Sequence, residues 1–292
     1  MRGTILIALA AVLWGTTGTS QALAPQGATP LAIGAMRLLV GGGALMLLSV
    51  SRGEITAYKG WLQPRTLLAG VSAALYQLTF FAGVALTGVA VGTIIAIGSA
   101  PIFTGILGYF GRGEALRQRW FVATGMAIMG CVLLAFSGND TVEINPLGIL
   151  LSLSAGLSYA AFALGNKKLI ENHQPDAAMA VSFSIGALIL LPTLFFVDVS
   201  WATTPGGMVI ILHLGLIATG LAYMLFGRGL QTIPVSTAGT LALAEPLTAT
   251  LLGIFVLGEQ LTPLALFGIL ILFVGLLLCM DASVKPKPQS AS

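Results

Sequence analysis

Residues 241–280 read LALAEPLTATLLGIFVLGEQLTPLALFGILILFVGLLLCM. One apolar run stops at Gly258-Glu259 and a second starts behind Thr262-Pro263. Each run is about long enough to cross ~30 Å of hydrocarbon at ~1.5 Å per residue. The junction carries turn chemistry. Gly258 suits a helix end, Thr262 a cap, and Pro263 the first position of the next helix. Inside the first run stands one carboxylate, Glu245, followed by Pro246. A charge at that depth is costly, which makes it a structural or functional marker.

The same stretch recurs earlier in the chain. With an ungapped offset of 145, residues 101–134 fall on 246–279, and nine of 34 positions are identical. They include Pro101/Pro246, Gly108/Gly253, Gly113/Gly258, Glu114/Glu259 and Gly130/Gly275. The offset is nearly half of the 292 residues, so the chain reads as a duplicated unit.

Composition sets the class. The hydrophobic fraction is 57% and the charged fraction 8%, with a mean hydropathy of +0.97. These values exclude an ordinary soluble domain and indicate a polytopic membrane protein. Cys131 and Cys279 both lie inside apolar runs and suggest packing rather than a disulfide or a metal site. No clustered metal set, Ser-His-Asp arrangement or phosphate-cradling Gly-Lys loop is visible, so no cofactor or metal is expected.

Ten apolar segments emerge, at about 4–23, 31–50, 66–86, 90–110, 119–137, 147–166, 177–197, 208–227, 235–257 and 263–280. The first resembles a signal peptide, but its pairing with segment six argues against cleavage. Twelve of the 13 Lys and Arg residues fall at the termini and in the even-numbered loops. The odd-numbered loops have none. The positive-inside rule then predicts cytoplasmic N- and C-termini. This placement explains the net charge of +3 without nucleic acid. The partners are then the lipid bilayer and a small-molecule substrate. Residues 1–137 form the first unit, 147–280 the second and 281–292 a polar cytoplasmic tail. A unit of five crossings makes the second copy enter the membrane upside down, a construction that recurs among secondary transporters. The predicted fold is therefore an all-α integral membrane protein.

Several polar residues lie deep in these segments. Trp14, Tyr76, Gln77, Tyr159 and Tyr223 belong to segments one, three, six and eight, which are repeat partners. Deep rings with N–H or O–H groups need polar partners, supplied by neighbouring helices or by a cavity. Arg37 is the one base inside a segment. It can bind a substrate carboxylate, pair with Glu245 or snorkel outward. Glu245 fits either a proton or substrate-ammonium site, or a structural carboxylate near the Pro246 break. Trp61, Trp120 and Trp201 sit where an interfacial aromatic belt is expected. His213 and Asn166 read as interfacial. Gly92, Ala96, Ala100, Thr104 and Gly108 form a ladder of small residues that predicts close helix packing.

These residues carry a resemblance. LAEPLTATLLGIFVLGEQLTPLALFGILILFVGLLL resembles the end of an EamA domain, and GSAPIFTGILGYFGRGEAL resembles the same end in the first half. GLIATGLAYMLFGRGLQTIPV, ALAAVLWGTTGTS and PLAIGAMRLLVGG, with Arg37, are similar to other helices of that family. The family is the EamA branch of the drug/metabolite transporter superfamily. The resemblance implies ten helices, as two inverted five-helix repeats, in a bacterial inner membrane. It also implies a secondary transporter, not an enzyme, exporting amino acids or similar metabolites by alternating access. Uptake, drug or cation efflux, and a polytopic enzyme acting on lipid-linked substrates are the alternatives. Trp14, Tyr76, Gln77, Tyr159, Tyr223, Glu245 and Arg37 are the candidate substrate-binding residues, with Glu245 also coupling. Ala100 stands opposite Glu245, so whatever the acid does is done once.

Overall fold

The computed structural model describes residues 2–55, 58–61, 63–137, 145–258 and 260–282. Among them ten helices are long and apolar enough to span a membrane. In chain order they are α1 (Arg2–Ala22), α2 (Pro30–Ser51), α3 (Pro64–Thr87), α4 (Val91–Arg112) and α5 (Gln118–Ala135). The second half follows with α6 (Pro146–Leu169), α7 (Pro175–Phe195), α8 (Pro205–Leu230), α9 (Val235–Leu257) and α10 (Pro263–Met280). Glu259 and the tail residues 283–292 lie outside the described residues.

Local chemistry fixes the ends. Six helices begin with proline, whose missing N–H would lack a helical partner there anyway. The Thr29, Asn145 and Thr204 side chains cap α2, α6 and α8. Thr262 Oγ1 accepts from the Ala265 N–H at 3.1 Å, as its position before Pro263 predicts. Gly113 and Gly258 end α4 and α9 in the left-handed region, at φ 67° and 74°.

Two helices are irregular. In α9 the backbone breaks between Leu241 and Ala244. Pro246 has no N–H to give to the Ala242 carbonyl. That oxygen instead accepts from the Glu245 N–H at 2.9 Å. In α8 residues His213–Leu221 widen into a π-helix, in which Thr219 Oγ1 donates to Leu214 O at 2.8 Å. The apolar pattern of segment eight gave no sign of this.

The duplication is visible in the packing. A Cβ built on Gly130 of α5 would lie 2.5 Å from the Leu272 nitrogen of α10. One built on Gly275 would lie 2.7 Å from the Ala127 nitrogen. Residues 127 and 272, like 130 and 275, are related by the offset of 145. The same exchange joins α2 to α8 and α3 to α7. Gly41 faces the Gly215 carbonyl and Gly186 the Gly70 carbonyl, at 2.6 and 3.4 Å from the built Cβ. Backbones this close gain dispersion contacts that a lipid-facing helix lacks.

The ladder of α4 packs in two directions. Ala96 meets Gly156 of α6, and Thr104 meets Gly239 of α9. The interfacial reading of Asn166 needs correction, and the three belt tryptophans pack against the protein at loops and helix ends. Asn166 is fully buried, donating to Phe162 O at 3.0 Å and accepting from Ser182 Oγ at 2.9 Å. Trp61 stacks on His173 at 3.9 Å between ring centres. Trp201 is buried and donates to Asp198 O at 3.1 Å. Trp120 donates to Ser236 O at 3.1 Å. Each ring satisfies its N–H, or packs, against the protein's own loops and helix ends. His213 reaches inward, its Nε2 lying 2.9 Å from Thr16 Oγ1 of α1.

Candidate functional site

A cavity of about 370 Å³ lies between the two repeats. Trp14, Arg37, Tyr76, Gln77 and Glu245 all line it. The lining reaches Gln21, Pro30 and Ala135, at the ends of α1, α2 and α5. Those ends lie opposite the loops that carry the basic residues. Inward, the cavity stops at mid-bundle.

Below it is an aromatic floor. Trp14 packs against Tyr223 at 4.8 Å and Tyr159 at 6.3 Å, and Tyr76 lies 6.4 Å from Tyr159. Tyr159 and Tyr223 do not line the large cavity. Together with Tyr76 and Gln77 they enclose a void of about 10 Å³ beneath it, room for about one water. The seven candidates thus divide into five wall residues and two floor residues. Trp14 Nε1, Thr17 Oγ1 and Tyr159 Oη are buried without a hydrogen-bond partner. Buried polar groups are normally paired, so such orphans mark places that receive a ligand or water.

The charges are held differently. Arg37 is 8% exposed. Its Nε donates to Thr219 Oγ1 at 3.0 Å and its Nη2 to the Ala218 carbonyl at 3.4 Å. Both acceptors lie in the π-helix. Arg37 therefore does not snorkel. Among the described residues it makes no ion pair with Glu245, although both line the same cavity. Glu245 follows the break in α9. Its carbonyl faces Gly15 of α1, where a built Cβ would lie 2.7 Å from that oxygen. Across the cavity stand Phe80, Phe81, Thr93 and Ile97. Sequence reasoning did not single these out. Phe80 and Phe81 follow Tyr76-Gln77 by one helical turn, the spacing that would have found them.

The opposite, basic end is closed by polar ties, some between the repeats (Arg52–Asp176, Arg112–Glu171, Glu114 with α9) and some within the second (Arg228–Asp176, Lys167 with the end of α8). Asp176 at the start of α7 binds Arg52 at 2.9 Å and Arg228 at 2.6 Å. Arg112 binds Glu171 at 2.6 Å. That hydrogen bond holds the Glu171 carboxyl below the usual carboxylate range. Lys167 Nζ donates to the Leu230 and Ile233 carbonyls at 2.5 and 3.0 Å. Glu114 accepts from the backbone N–H groups of Val235 and Ser236 at 2.7 and 3.0 Å. Counting bases by loop had located this end without revealing its acids as partners.

Two inverted five-helix repeats around one charged cavity, open at one end and tied shut at the other, define a membrane transporter. The EamA-like transporter family matches residues 1–136 and 146–280, and the chain belongs to that family. It is 48% identical to the transporter YwfM of Bacillus subtilis, over 100% of this chain and 99% of that one. It is 28% identical to the inner membrane transporter YicL of Salmonella typhimurium, over 98% of each chain. Against the threonine/homoserine exporter RhtA of Escherichia coli it is 31% identical, over 51% of this chain and 50% of that one. A solved crystal structure superposes with a TM-score of 0.83 at 17% identity, covering 96% of this chain and 97% of the other. This last likeness speaks to the fold alone.

Proposed function

We propose that the protein is a secondary transporter of a bacterial inner membrane, exporting an amino acid or similar small zwitterion by alternating access. Its basic loops and both termini face the cytoplasm, following the positive-inside rule. In that orientation the cavity opens outward. The single observation that carries the reading is the cavity itself, with an unpaired acid and a tethered base on its wall.

Each charge has a partner in such a substrate. Arg37 spends Nε and Nη2 on α8. Its remaining donors are available to a carboxylate, a geometry guanidinium groups favour. Glu245 offers acceptors to an ammonium group. Trp14, Tyr76, Phe80 and Phe81 supply an apolar wall. Among the described residues neither charge is held in an ion pair, so an occupant carrying both signs lowers the cost of burying them. Proton binding at Glu245 competes with the ammonium. A proton entering from outside thereby displaces the outgoing substrate and drives its release. The match to an amino-acid exporter over half the chain supports this substrate class.

Efflux of labelled amino acids from proteoliposomes under an inward proton gradient tests the reading. The wild type is expected to show gradient-dependent, saturable efflux. Glu245→Gln is expected to insert and fold normally yet lose gradient-driven efflux. No transport across a broad amino-acid panel would overturn the substrate class. An unaltered pH profile in Glu245→Gln would make the acid structural.

A further inference from the structure

The contact between Glu114 and α9 has no part in the cavity, yet it sits where the two repeats meet. We propose that Glu114 is the latch that holds the basic end shut, so that its release is a required step of the transport cycle. This rests on the transporter reading given above.

The contact is a built one. Glu114 follows Gly113, whose left-handed turn at φ 67° ends α4 and turns the chain back. Its carboxylate accepts three hydrogen bonds from the other repeat: Val235 N–H at 2.7 Å, Ser236 N–H at 3.0 Å and Ser236 Oγ at 2.8 Å. Gly108 makes room for it, since a Cβ there would lie 2.5 Å from Glu114 Oε2. Hydrogen bonds from backbone amides to an ionised carboxylate are among the stronger polar contacts.

The latch stands at the closed end of a pair of crossing helices. Helices α4 and α9 touch beside it, where Gly239 meets Thr104. Beyond the break in α9 they diverge, and Thr93 and Ile97 face Ala249 and Thr250 across the cavity. By the offset of 145, Thr93 corresponds to Ala238 and Ile97 to Ala242, both buried here in the closed half. Exchanging the roles of the two repeats turns those residues into cavity lining. Helix α9 must then part from α4 at the basic end, and the Glu114 bonds lie across that parting.

Thiol labelling with a membrane-impermeant reagent reads the state without any substrate. In a Cys279→Ala background, Cys131, which lines the cavity, reports the open end. Ala238→Cys, fully buried in this state, reports the closed end. Glu114→Gln is expected to slow labelling of Cys131 from the open side and to speed labelling at position 238 from the basic side. The shift expected is about tenfold, the scale of one charge-assisted hydrogen bond lost from a single state. Ser236→Ala removes only the hydroxyl contact and is expected to shift both rates the same way by less. It is the variant to use if Glu114→Gln does not fold. Unchanged rates at both positions in a folded variant would overturn the latch. A labelling shift without amino-acid transport would keep the latch and remove the substrate class.

Discussion

Helices α4 and α9 occupy the same place in the two repeats, and each carries the same proline, Pro101 or Pro246. Helix α4 runs through its proline without interruption. Helix α9 breaks one turn before its own. The residue before the proline explains what the break is for. Ala100 is buried, with its backbone nitrogen 3.3 Å from the Cβ position of Gly156. Glu245 faces the cavity. A proline removes one hydrogen bond in either helix. Whether the helix yields depends on what packs beside it. One repeat kept a close-packed helix, and the other used the same weakness to present a carboxylate.

The most severe way to break the comparison is to give α4 the acid that α9 carries. Ala100→Glu places a charge against α6 with no cavity to receive it. It should reduce stability by about 3 kcal/mol, the scale of an acid at a membrane-helix centre. Thermal denaturation in detergent and the yield of folded protein would show the loss. Glu245→Gln, which removes only the charge from α9, should leave the melting temperature nearly unaltered. Trp14→Ala comes next. It opens the wall at the aromatic floor and should raise the substrate concentration for half-maximal efflux roughly tenfold, since a buried ring contributes about 1–3 kcal/mol. A changed maximal rate at constant affinity would place Trp14 in gating instead.

The repeats can also be tested where they agree. Gly130→Ala and Gly275→Ala press on equivalent backbone, so both should destabilise by about 1–3 kcal/mol, and by similar amounts. A large difference would mean that the α5/α10 seam is less symmetric than its distances indicate. Tyr159→Phe should have the smallest effect. Its hydroxyl is buried without a partner. Removing it should change stability by less than about 0.5 kcal/mol. A clear loss would reveal a water in the void that this hydroxyl shares with Tyr76 and Tyr223.

Much of the fold was legible because a membrane allows few choices. Backbone polar groups have no water to turn to, so each apolar run must be a helix. The Thr262-Pro263 cap and the Gly113 and Gly258 turns were readable from residue chemistry alone. The offset of 145 paired Gly130 with Gly275, and the structure sets each of them against the backbone of the other's helix. The site was legible in part. Depth along a helix singled out Trp14, Arg37, Tyr76, Gln77 and Glu245, because polar groups there are expensive. Depth does not report direction around the helix axis. Tyr159 and Tyr223 therefore could not be assigned to the floor rather than the wall, and Asn166 passed for interfacial. The π-helix in α8 was invisible, because widening a turn needs no special residue. The Glu114 contact was half legible. The repeated Gly-Glu pair marked it, but its partners lie more than 120 residues away.

The glycine seam between α5 and α10 also constrains how the two halves can change. At the equivalent positions 100 and 245 the two copies carry alanine and glutamate, and the two sites meet different neighbours. At 130 and 275 that freedom is missing. Each glycine leans on the other helix's backbone within 2.5 to 2.7 Å of where a Cβ would sit. A bulkier residue in either copy pushes both helices apart and loosens the contact made by its twin. The cavity wall therefore tolerates different residues in the two copies, while the seam does not. New substrate preferences can arise by altering wall residues one copy at a time, while the frame that aligns the copies stays a matched pair.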